Sequence, residues 1–90
     1  VDSNQSDIVA ALRAIGASVS PTHTIGGGFP DLVCGFRGRS VLFEIKDPAQ
    51  PPSKRKLTDD EAIWFGNWKG EAYVIETAEE AIQILMREVA

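Results

Sequence analysis

The chain has one cysteine, Cys34, and one histidine, His23. A single thiol excludes an internal disulfide framework and fits a reducing compartment, so the expectation is cytosolic. His23 has no second histidine to pair with and reads as a plain loop residue. Long apolar runs are missing, so no segment is expected to span a bilayer. Val1 to Gln5 carry neither the charge nor the apolar run of a signal peptide. The absent initiator Met suggests a processed or trimmed chain. Cations are scarce too: 9 Lys+Arg stand against 13 Asp+Glu, a net charge of -4. That excludes a generic basic coat for nucleic acid but leaves room for a local basic site.

What remains is an ordinary soluble, globular composition, 43% hydrophobic and 24% charged over 90 residues. The length suits one domain (1–90), without repeat or linker. Such a chain buries about 60–65% of its unfolded surface, enough for one core but not for a large cavity.

Ile8, Val9, Leu12 and Ile15 recur at helical spacing until Gly16. Ala17 to Ser20 is a weak strand, ended by Pro21. Asp31–Phe36 and Ser40–Lys46 are strands, rich in β-branched and aromatic residues, with Arg37-Gly38 as the turn. Thr58 opens T-D-D-E, a capping box, and Ala62, Ile63, Phe65 and Trp68 follow at helical spacing to Gly70. Glu71–Ile75 is a strand. Thr77 opens a second capping box, T-A-E-E, before Ala81, Ile82, Leu85, Met86 and Val89. The expected class is α/β: a mixed sheet flanked by helices, in the order α-β-β-β-α-β-α.

The Asp31–Lys46 hairpin carries the chemistry. A two-residue turn pairs Phe36 with Arg39 and, counting outward, places Asp31 opposite Glu44. A four-residue loop keeps that register, and a three-residue loop would put the carboxylates on opposite faces. Facing residues have Cβ atoms about 4.5–5.5 Å apart, so the two acids repel unless something neutralises them. Mg²⁺ suits such hard oxygen ligands. Lys46, two residues beyond Glu44, points to the same face. The reverse face carries Leu32, Cys34, Phe36, Val41, Phe43 and Ile45, a core stripe in which Cys34 reads as an inert buried thiol. Two carboxylates and an ammonium around a cation suit phosphodiester hydrolysis.

Phe29-Pro30-Asp31-Leu32-Val33 followed by Phe43-Glu44-Ile45-Lys46-Asp47-Pro48 resembles the PD…ExK signature of the PD-(D/E)XK nuclease superfamily. Gly26-Gly27-Gly28 before it, and the EIKDP after, are similar to small stand-alone virus-type replication-repair nuclease (VRR-NUC) domains. The resemblance spans nearly the whole chain and implies a restriction-endonuclease-like fold. It implies that Asp31, Glu44 and the Ile45 carbonyl bind Mg²⁺ (Mn²⁺ as an alternative) and that Lys46 is catalytic. Many members add a first-helix glutamate. Here the matching position is Gln5, which shares the inward face of Ile8 and Val9 but brings no charge. Asp7 lies on another part of the helix. One metal or two is therefore left open.

Plainer readings stand beside these. Asp31 after Pro30 also fits a turn, and Glu44 with Lys46 an exposed ion pair. Gly26 to Gly28 match no nucleotide-binding fingerprint and read as a flexible loop beside the site. Lys54, Arg55 and Lys56 form either a solvated loop or phosphate contacts, the latter with Arg37 and Arg39 in the turn. Trp64 and Trp68 are expected in a core or an interface. The leading expectation is a Mg²⁺-dependent DNA endonuclease acting as a homodimer on branched DNA or four-way junctions, the structure preference resting on the resemblance. The alternatives are a nuclease-fold DNA-binding module without turnover and a small protein-interaction domain.

Overall fold

In a computed structural model, which describes residues 4–88, the elements follow the expected order. They are α1 (Gln5–Ala14), β1 (Ser18–Pro21), β2 (Leu32–Phe36), β3 (Arg39–Ile45), α2 (Asp59–Asn67), β4 (Glu71–Ile75) and α3 (Ala78–Met86), with one 3-10 turn at Pro52–Lys54. Val1 to Ser3 and Val89, on which the leader and last-helix expectations partly fall, lie outside the described residues. Among the described residues no helix is long and apolar enough to cross a membrane.

The sheet runs β1-β2-β3-β4, antiparallel except for the parallel β3–β4 pair. The hairpin register is the expected one, from Leu32 opposite Phe43 to Phe36 opposite Arg39. Arg37 (φ 51) and Gly38 (φ 79) both have positive φ, as a type I′ turn requires. Arg37 is an uncommon residue there, which is why the sequence signal for this turn is weak.

The core lies on one side of the sheet. Ile8, Val9 and Leu12 of α1 and Ala81, Ile84 and Leu85 of α3 pack on Val19, Leu32, Cys34, Val41, Phe43, Ile45 and Ile75. The stripe expected on α3 is shifted: Ile84 is buried and Met86 is exposed. Helix α2 differs more. It has no buried residue, with Ile63 63% and Trp68 40% exposed. Its capping box is complete, so the helix is fixed by its own first turn more than by burial.

Candidate metal and phosphodiester site

The ladder between β2 and β3 ends at Leu32–Phe43, so Asp31 sits just outside it rather than facing Glu44 as a strand pair. Its carboxylate reaches across: Oδ2 accepts the Ile45 N–H at 2.8 Å. This ties Asp31 to the segment that carries Glu44 and Lys46. The chain from Thr22 to Asp31 closes on itself, with the Thr22 N–H donating to the Asp31 carbonyl and the Thr22 hydroxyl to the Pro30 carbonyl.

Glu44 and Lys46 point away from the core, yet they are only 4% and 8% exposed. Cover comes from the N-terminal turn of α2, which crosses this reverse face. Lys46 Nζ lies 2.8 Å from Glu61 Oε1 and 3.5 Å from Glu44 Oε2. The Asp60 backbone meets Gly28 so closely that any Cβ at Gly28 would overlap it. Phe29 and Trp64 pack edge-on with centroids 5.4 Å apart.

Burial, hydrogen bonding and crowding of like charge set the electrostatics together. Burial, then a hydrogen bond with Glu61, then the charges of Asp31 and Glu61 push the Glu44 carboxyl up to about 9, against a smaller opposing pull from Lys46. For Lys46, burial favours the neutral form, but hydrogen bonds and charge from Glu61 and Glu44 outweigh it and the pKa is raised. For Glu61, burial pushes upward, but hydrogen bonds from Glu44, Lys46 and the Thr58 N–H outweigh it and the pKa is lowered.

Gln5 is buried at the start of α1, and the neighbouring Asn4 Nδ2 donates to the Glu76 carbonyl at 2.9 Å and the Lys46 carbonyl at 3.4 Å. The helix thus begins beside the end of β3. Gln5 Oε1 and Glu44 Oε1 are both buried without a hydrogen-bond partner. Among the described residues no three His, Cys, Asp or Glu side chains are grouped to hold a metal. The donor set that the resemblance implies is smaller: the Asp31 and Glu44 carboxylates and the Ile45 carbonyl. Hard oxygen donors, excess negative charge and an orphaned carboxylate oxygen fit a divalent cation such as Mg²⁺ or Mn²⁺.

The basic residues divide. Lys54 and Lys56 are exposed on the loop after the site, while Arg55 is half-buried, 3.5 Å from Glu76. Arg37 is exposed over the Phe36 ring. Arg39, expected on DNA, is spoken for: it pairs with Glu71 through two nitrogens and donates to the Ile84, Leu85 and Arg87 carbonyls at the end of α3. Both arginines sit at the turn end of β3, with Arg39 roughly 17–23 Å along the strand from Glu44 and Lys46 at its other end. The register itself implied that separation. Glu61 is the residue the sequence reading passed over. Its capping role explained it fully, and only the need of a buried Lys46 for an anion would have pointed to a second role. No family model, curated protein or solved structure matches this chain.

Proposed function

We propose that this chain is a Mg²⁺-dependent endodeoxyribonuclease of the PD-(D/E)XK type, resembling the VRR-NUC group, with a homodimer on branched or four-way-junction DNA as its working form. The observation that carries the reading is the convergence of Asp31, Glu44 and Lys46 on one covered patch of sheet, with a buried Glu44 oxygen left unpaired. A carboxylate pair in this state is costly unless a cation completes it. Asp31, Glu44 and the Ile45 carbonyl would hold Mg²⁺ or Mn²⁺. That ion would polarise a phosphoryl oxygen and acidify a bound water.

The chain's own residues do the rest. Asp31, anchored on the Ile45 N–H, fixes the end of β3 relative to β2. Lys46 presents an ammonium held in the charged state, able to orient a water or oppose negative charge at phosphorus. Gln5, whose buried Oε1 is unpartnered, could hydrogen-bond a metal-bound water at the same end of the sheet but adds no charge. Lys54, Lys56 and Arg55 supply phosphate contacts beside the site, and Arg39 is withdrawn from that role.

A second reading, a DNA-binding module without turnover, is favoured by Gln5 in place of an acid. A labelled panel of linear duplex, flap, splayed arm and four-way junction, with and without Mg²⁺, separates the two. Mg²⁺-dependent cleavage supports the nuclease. A metal-independent gel shift without cleavage supports the module, and neither cleavage nor binding contradicts both.

A further inference from the structure

Lys46 is the only buried ammonium among the described residues, and such a group needs close hydrogen-bond acceptors that stay in place. Glu44 is a poor holder. Its oxygen is 3.5 Å away, and on the proposed reading Glu44 is engaged by the cation. Glu61 is closer, at 2.8 Å, a true charge-assisted hydrogen bond. The same Oε1 also accepts the Thr58 N–H at 2.8 Å, closing the capping box.

One carboxylate oxygen therefore serves two donors: the backbone that starts α2 and the ammonium at the end of β3. Helix α2 has no buried residue, and this bond ties it to the end of β3 while the Gly28–Asp60 approach and the Phe29–Trp64 contact tie it to the loop before β2. We propose that Glu61 is a positioning residue for Lys46, its capping-box carboxylate holding the ammonium in the site and so making the placement of Lys46 depend on the seating of α2. The placement is read from geometry, and its consequence for turnover rests on the nuclease reading above. Glu61 touches no reacting atom in this scheme and acts only through Lys46.

Three variants separate positioning from capping. Glu61→Ala removes both partners. Thr58→Ala removes the hydroxyl that accepts the Glu61 N–H and leaves the Glu61–Lys46 bond intact. Glu61→Gln keeps an oxygen acceptor for both donors. The first readout is the ¹H–¹⁵N signal of the Lys46 ammonium in cold, metal-free protein, assigned by its loss in Lys46→Arg. A held ammonium exchanges slowly enough to be seen. The expected result is a signal present in wild type, Thr58→Ala and Glu61→Gln, and absent in Glu61→Ala.

The second readout is single-turnover cleavage of the preferred DNA at saturation. Glu61→Ala should fall at least tenfold, with affinity for DNA within a few fold. Thr58→Ala should stay within threefold, and Glu61→Gln should recover most of the loss. A wild-type Lys46 signal as fleeting as a free lysine's, a signal surviving in Glu61→Ala, equal losses in Thr58→Ala and Glu61→Ala, or no recovery in Glu61→Gln would each overturn the assignment. If wild type cleaves no DNA, the nuclease reading fails while the ammonium signal still decides the positioning role.

Discussion

Glu44 concentrates the chemical argument. Its carboxyl is pushed from 4.5 up to about 9, so the metal-free folded chain keeps a proton that the unfolded chain has released. The stability this proton brings is whole below about pH 4.5 and is lost as pH rises toward about 9. Thermal melts in chelator across that window should show falling stability for wild type and a flatter profile for Glu44→Gln. Lys46 makes a different demand. Lys46→Ala should leave DNA affinity within a few fold while lowering single-turnover cleavage by about two orders of magnitude or more. Intact cleavage in that variant would remove the catalytic role assigned to the ammonium. The register of the hairpin from Leu32–Phe43 to Phe36–Arg39 was legible because strand register has a period of two and a single turn length fixes it, but Asp31 falls one step beyond that ladder and is not a strand partner of Glu44. The hydrogen bond from the Ile45 N–H to Asp31 was not legible, because it begins where the ladder stops.

The loop and the helix over the site depend on each other. Gly28 has φ +82, and a Cβ there would overlap the Asp60 backbone. Gly28→Ala should therefore cost at least about 2 kcal/mol, and it should displace α2 rather than the core. Tryptophan fluorescence from Trp64 would report that shift before global unfolding. Capping residues, element order and the core stripe of the hairpin were readable, because local spacing determines them. The exposure of α2 was not, since Ile63, Phe65 and Trp68 have the same spacing whether or not a layer lies over them. The basic residues separate by element as well. Neutralising Lys54, Arg55 and Lys56 together should weaken DNA binding and flatten its salt dependence by up to about three units of slope. Arg39→Ala should leave that slope unchanged and lower the melting temperature, because it strips Glu71 and three carbonyls of their partner. A matched pair of salt titrations checks both.

The molecule measures 32 × 28 × 23 Å, about one turn of duplex at its longest. One chain brings one Asp31–Glu44–Lys46 group, so two cuts on a two-fold junction call for two copies, and a symmetric pair is the commonest arrangement. Ile63 and Trp68, exposed at α2, are apolar surface on the same side of the sheet as the site, whereas Met86 of α3 lies on the other side. Sedimentation at tens of micromolar should show a dimer, and a monomer throughout would remove the two-cut scheme without touching the single site. Whether that site holds a cation at all shows in the stability of the whole chain. An ion that binds only the folded state at ten times its Kd adds about 1.4 kcal/mol, worth roughly 6–11 °C for a domain of this size. Melting wild type and Asp31→Ala with and without millimolar Mg²⁺ near neutral pH is the deciding comparison. The metal should raise the wild-type melting temperature by several degrees and leave Asp31→Ala unmoved. An unresponsive wild type, or an equal gain in Asp31→Ala, would contradict a cation site between Asp31 and Glu44.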